Sequence, residues 1–261
     1  MLRRSLILSP SLLLFAARPV AGGLAQGPAL PAEAGSLFPA QSPEAVRETV
    51  VAAHGNVVRL KALVGRQPTL AKATWDWGFG DWESALGGAS HMGHREIAEY
   101  LIANGAQPTI FSAAMLGHLD VVKAFAAASP GVHLVRGPHS IPLVRHAMAG
   151  GAPAKPVIEY LTTLGDADAA APRPPLSAAE IEQLTGAYRV DGSAEPVVIT
   201  WASGALSFAL AGRSRGLRHR GSLEFSPAGA DNVRVVFAQA GGTVTVTVRD
   251  PDVVLTARKA L

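Results

Sequence analysis

The chain has 261 residues, 48% of them hydrophobic and 16% charged, which excludes a disordered or fibrous protein and leaves room for one large domain or two small ones. It contains no cysteine, so disulfides, thiolate metal ligands and cysteine nucleophiles are excluded. The formal charge is +3, but Arg3, Arg4 and Arg18 precede residue 25 with no acid among them, so loss of that segment would leave a charge of 0. A neutral chain lacks the surplus cations that binding to a nucleic-acid backbone requires.

Residues 1–25 have the three-part layout of a secretory signal peptide: Arg3-Arg4, an apolar run from Leu6 to Ala17, then small residues up to Ala25. The run is too short to span a bilayer comfortably, and Pro10, Pro19 and Gly22-Gly23 argue against a buried helix. Arg3-Arg4-Ser5-Leu6-Ile7 partly matches the twin-arginine export signal, and an ordinary Sec signal fits the same residues. The mature chain is therefore expected in the periplasm or outside the cell, without a membrane span. Residues 26–42, rich in Pro, Ala and Gly, read as a tether.

Ser42-Pro43-Glu44 is a good helix start, with a hydroxyl cap, Pro at the first helical position and an acid in the first turn. Four helix pairs are expected over residues 43–165. They align on Gly55, Gly93, Gly117 and Gly150, at separations of 38, 24 and 33 residues. The best-formed pair runs from Asp81 to Ala106: a short small-residue helix, a Gly-His turn, an amphipathic helix and a terminal Gly-Ala. One such unit cannot bury its apolar face alone, so stacked neighbours are required.

Ser84, Ala85, Leu86, Gly87, Ala89, Ser90, Gly93, His94, Ile97, Leu101, Gly105 and Ala106 carry a resemblance of this pair to the ankyrin repeat. Weaker matches are Ile141-Pro142-Leu143 with Ala147 and Gly150, then Ala113-Ala114 with Gly117-His118, and Ala52 with His54-Gly55 shifted by one. The resemblance implies an array of about four helix pairs joined by hairpin fingers at a period near 33 residues. The 38-residue step then enlarges the first finger, and the 24-residue step deletes the next. It also implies a protein that binds other proteins rather than doing chemistry.

Asp166 to Ser177 reads as a proline-stiffened linker, which predicts partly independent domains. Residues 178–261 then change period. After a short helix over 177–183, alternation of apolar residues marks strands at Val197, Ile199 and Trp201, at Leu206, Phe208 and Leu210, at Val233, Val235 and Phe237, and at Val244, Val246 and Val248. Seven or eight short antiparallel strands predict a small barrel or half-barrel, giving an α+β chain of two domains. Leu184-Thr185-Gly186-Ala187-Tyr188 and the strand spacing are similar to the small lipocalin-like domains of exported bacterial proteins.

Trp75, Trp77 and Phe79 alternate along the long finger, with Asp81 and Trp82 just after and His91 on the following helix. These are the candidates for contact with a protein partner. Against that stands packing of the finger over the second inner helix, because secreted monomers rarely expose so much aromatic surface. His91 and His94, near Asp76 and Asp81, are not expected to hold a metal, since i,i+3 spacing across a glycine turn does not aim both rings at one point. Arg218 and Arg220 share a strand face and are anion-binding candidates, or else charges that guard a sheet edge. Serine-hydrolase, metalloprotease, P-loop and dinucleotide motifs are all missing from the sequence. The expectation is a non-enzymatic exported protein without cofactor that binds a protein partner. Binding of a small apolar or anionic ligand in the β-domain, lined by Trp201, Phe208 and Phe237, or service to an exported hydrolase are the alternatives.

Overall fold

The computed structural model describes residues 40–168, 174–250 and 253–260. The expected signal peptide and nearly all of the tether lie outside the described residues. Four helix pairs come first: α1 (Pro43–Ala52) with α2 (Val57–Arg66), α3 (Ala85–Met92) with α4 (Arg95–Ala103), α5 (Ile110–Leu116) with α6 (Leu119–Ala128), and α7 (Leu143–Ala149) with α8 (Lys155–Thr163). Ser42 caps α1 as its sequence suggests, its hydroxyl accepting from the Ala45 amide at 3.2 Å. Among the described residues, no helix is long and apolar enough to cross a membrane.

The glycines that end the inner helices are fixed by both conformation and space. Gly93 closes α3 in the left-handed region at φ 74°, and a Cβ there would stand 2.2 Å from the Ala149 carbonyl oxygen. Gly150 differs from the expected turn geometry: it is right-handed, and Gly151 takes the positive φ. Its small size is still required, since a Cβ would lie 2.0 Å from the Met115 carbonyl oxygen. The helices bury two apolar clusters, one around Leu60, Leu86, Ile97 and Leu101, the other around Val122, Leu143, Val157 and Leu161.

The long first finger is a hairpin, β1 (Thr74–Asp76) paired antiparallel with β2 (Trp82–Ser84) so that Trp75 faces Glu83. Between α4 and α5 no strand forms, as the short step implies. The third connection makes two tight 3-10 turns, and its second, Pro138–Ser140, holds His139 and Ser140 at φ 57° and 58°.

A capped helix α9 (Ala178–Leu184) leads into eight strands, β3 (Gly186–Val190), β4 (Val197–Ala202), β5 (Ala205–Leu210), β6 (Arg213–Gly221), β7 (Glu224–Pro227), β8 (Arg234–Ala240), β9 (Thr243–Asp250) and β10 (Val253–Lys259). They pair in sequence order, and β10 closes on β3, so the expected barrel or half-barrel is a closed barrel. Tyr188, Ile199, Leu206, Phe208, Phe225, Val235, Phe237 and Val246 fill it, but Trp201, expected to line it, is 40% exposed at a strand end. Because successive strands alternate direction, α9 stands at one end and the 211–212 turn and 228–233 loop at the other.

The linker does not hold the two parts apart. From Gln41 onward the chain is one compact unit. Phe79 of the hairpin lies edge-on to Phe208 at 6.2 Å, Asp81 packs where a Cβ on Gly229 would clash at 2.4 Å, and Ser140 reaches Asp231 at 3.2 Å. The finger thus caps the barrel end opposite α9.

Candidate metal centre

Four side chains from four elements converge beside that cap: His54 after α1, Glu83 of β2, His91 of α3 and His139 of the 138–140 turn. Local sequence explains how. Gly88 leaves the space on α3 that His54 occupies, since a Cβ there would be 2.9 Å from His54 Cε1. The left-handed turn at His139 aims its ring back over β2. One ligand-type atom from each residue lies within 4.8 Å of all the others.

The hydrogen bonds outside the cluster orient the rings. His54 Nδ1 is 2.9 Å from the Val50 carbonyl oxygen, which can only accept, so that nitrogen carries the proton and Nε2 faces inward. His139 Nδ1 is 2.7 Å from Asp81 Oδ2, and the His139 amide donates to Asp81 Oδ1 at 2.9 Å. Trp77 Nε1 donates to Glu83 Oε2 at 2.7 Å. These are the outer partners that a metal-binding imidazole or carboxylate commonly has.

Inside, His54 Nε2 and His91 Nε2 are 3.2 Å apart, and Glu83 oxygens lie 2.8 Å from His91, 3.3 Å from His139 and 3.4 Å from His54. A tetrahedral zinc ion with bonds near 2.0 Å separates its ligand atoms by about 3.3 Å. The four contacts above lie near that value and all four ligand atoms lie within 4.8 Å of one another, so the cluster needs little adjustment to enclose an ion, and imidazole with carboxylate suits zinc among the divalent transition metals.

The same contacts couple the carboxylates and the imidazoles electrostatically. Glu83 is fully buried, which alone would raise its pKa, yet hydrogen bonds with His139, His54 and His91 hold it well below the usual carboxylate range. Asp81 is likewise lowered against the effect of burial, by His139 and then Arg215. Asp81 and then Glu83 raise His139 to about 9, and Glu83 raises His54. The carboxylates thus favour a proton on the rings that face them, and a metal ion would have to displace it. His146 is also fully buried, tilted on Phe111 at 4.8 Å and edge-on to His91 at 6.2 Å. Burial and then His91 push it down to about 3, and neither ring nitrogen finds a partner among the described residues.

Of the partner-contact candidates, Trp77, Asp81 and His91 meet at this centre, and the other three go elsewhere. Trp75 packs on the first helical cluster, Phe79 joins the barrel core and Trp82 is 61% exposed. The alternation of Trp75, Trp77 and Phe79 does not keep them together, because β1 ends at Asp76 and Gly78 and Phe79 turn with positive φ. His91 does not converge with His94, which sits against Gly55; its partners are His54, Glu83 and His139, none of which was singled out from the sequence as a metal ligand. Asp76 instead accepts the Gly78 amide at 2.8 Å in the turn. Arg218 pairs with Asp231 and reaches Ser140, and Arg220 approaches Ser226 at 3.4 Å.

No protein-family model matches the chain, and no curated protein matches it. Fold and geometry alone define it: four helix pairs whose hairpin and 138–140 turn meet one end of a closed eight-stranded antiparallel barrel, with a histidine-carboxylate cluster beside that contact.

Proposed function

We propose that this protein binds one divalent transition metal ion of the zinc class through His54, His91, His139 and Glu83. The observation that carries this is the convergence of four ligand atoms within 4.8 Å of one another, with Val50, Asp81 and Trp77 holding three of the four residues from outside. The ion ties the first two helix pairs and the hairpin to the 138–140 turn, so it organises the surface between helices and barrel. On an exported, ankyrin-like scaffold this is a metal-stabilised binding module. Untagged protein purified without chelators should carry about one equivalent of zinc. The His91→Ala and His139→Ala variants should lose it, and His94→Ala should keep it. A wild-type protein that retains no metal, and whose metal-free form does not compete with a chromophoric zinc chelator, would falsify the reading.

A second reading, contact with a protein partner, is favoured by the exposure of Trp82 on the finger. Capture of a periplasmic protein by wild type and its loss in Trp82→Ala would support it; equal capture by both removes Trp82 from that role.

A further inference from the structure

The barrel end beneath the finger contains a feature that a sealed core would avoid. Strand β6 turns its odd-numbered residues inward, since Leu217 is in the core, and Arg213 and Arg215 belong to that row. Their direct cross-strand neighbours are apolar: Leu210 faces Arg213 and Phe208 faces Arg215. Arg213 is exposed at the start of the strand, whereas Arg215, two residues on, is largely buried beside the side chains that fill the barrel. Placing a cation there is costly unless something answers it.

Asp81 answers it only in part. Arg215 is only 18% exposed, and its Nη2 is buried with no hydrogen bond. Its nearest carboxylate oxygen, Asp81 Oδ2, is 3.6 Å away and already receives His139 Nδ1 at 2.7 Å, while Oδ1 receives the His139 amide. Arg213 makes no hydrogen bond or ion pair among the described residues. Arg215 thus has an ion-pair partner at 3.6 Å but no hydrogen-bond acceptor on Nη2, which leaves that donor open to an acceptor from outside. The two arginines open on a cavity of about 440 Å³ whose other walls are Trp77, Phe79, Phe208 and Leu210. That volume is within the range of small-molecule sites, and an aromatic wall with a few convergent polar groups is their usual composition.

We infer that the barrel mouth binds a small organic monocarboxylate with an apolar body, the carboxylate received by Arg215 and Arg213 and the body laid against Trp77, Phe79 and Phe208. Arginine suits this role because its planar fork matches a carboxylate. The site uses none of the four metal ligands, so it stands or falls apart from the metal reading. The two adjoin through Asp81, which touches both Arg215 and His139.

The test is isothermal titration of the full, metal-loaded chain with decanoate and with 3-phenylpropionate, against decanol and acetate as probes lacking the charge or the body. One of the two carboxylates with a body should bind at least about tenfold tighter than decanol and acetate, the size expected from a charge-assisted hydrogen bond. Arg215→Gln and Arg213→Gln should each weaken that binding about tenfold, Arg215→Lys should restore part of it, and Arg220→Ala should leave it unchanged. Circular dichroism identifies any variant that fails to fold, and Arg213→Gln, at the more open position, then supplies the result. Binding no tighter than decanol by either carboxylate, or equal binding by wild type and folded arginine variants, overturns the inference. Repeating the titration on His91→Ala separates the sites: carboxylate binding without metal retains this inference while the metal reading is judged on its own assay.

Discussion

The two ends of the barrel are closed by different chemistry. At one end α9 lays Leu184 into the core, and the polar groups there answer one another: the Tyr188 hydroxyl donates to the Leu184 carbonyl at 2.8 Å and the Lys259 ammonium to the Gln183 carbonyl at 2.6 Å. At the other end the hairpin brings Phe79 over Phe208, but it also brings Trp77 and Asp81 and meets Arg213 and Arg215. A lid that only seals needs apolar area and satisfied backbone groups. The finger end holds more charge than sealing requires, and the histidine cluster lies directly behind it. The α9 end is thus a sealed core end, whereas the finger end carries the buried charges on which both proposals rest.

The largest effect expected from breaking that contrast is Asp81→Ala. It removes the buried carboxylate facing both His139 and Arg215, and leaving one member of a buried pair unpaired costs about 3 kcal/mol. Chemical denaturation should show that loss, whereas a cost under about 1 kcal/mol would mean that solvent already compensates both cations. Next comes the metal. At zinc one hundredfold above its Kd, binding to the folded state alone adds about 2.7 kcal/mol. Chelation should therefore lower Tm and raise hydrogen exchange in residues 74–84 and at 138–140, while α9 stays protected. Uniform deprotection of both ends would mean that the centre does not belong to the finger in particular.

Tyr188 gives a smaller effect at the opposite end. Burial pushes its pKa up to about 12 from an ordinary value of 10. The group is neutral in both folded and unfolded chains below pH 10, so its contribution is fully present there. Between pH 10 and 12 only the unfolded chain ionises, and stability falls by about 1.4 kcal/mol per pH unit. Tyr188→Phe should flatten that alkaline arm and cost about 1 kcal/mol at pH 7 for the lost hydrogen bond to Leu184. An unchanged alkaline arm in the variant would show that another group carries it.

The α9 end was far more legible in the sequence than the finger end. Period-two alternation located most strands because each residue's burial depends on its immediate neighbours, and Ser177 with Glu180 shows the capping helix start locally. The spacing of Gly55, Gly93 and Gly117 likewise marked one long finger and one missing finger, both present as hairpin β1–β2 and the strandless α4–α5 connection. The cluster was not legible, because its side chains come from positions 54, 83, 91 and 139 and only folding brings them together. His91 and His94 looked like the nearest pair, but the left-handed Gly93 lies between them. Gly88 was a usable signal: a glycine inside a helix, left open for another residue's ring. On β6 the even-numbered Arg218 and Arg220 drew notice as a pair, while the phase set by Leu217 turns Arg213 and Arg215 inward.

The smallest expected effect sharpens the division within the finger itself. Trp82 is 61% exposed although it neighbours the buried Asp81 and Glu83 in sequence, because alternation along β2 turns it outward. Its loss removes little buried area, so Trp82→Ala should change stability by no more than about 0.5 kcal/mol. Trp77→Phe, by contrast, keeps most of the ring but deletes the donor to Glu83 Oε2, which should weaken zinc binding about tenfold, the loss typical of an outer-shell partner. If Trp82→Ala instead destabilised the chain by more than 1 kcal/mol and Trp77→Phe left zinc binding unchanged, the roles would be reversed. Trp82 would then pack as part of the scaffold, and the carboxylate would be held in place by the histidines alone.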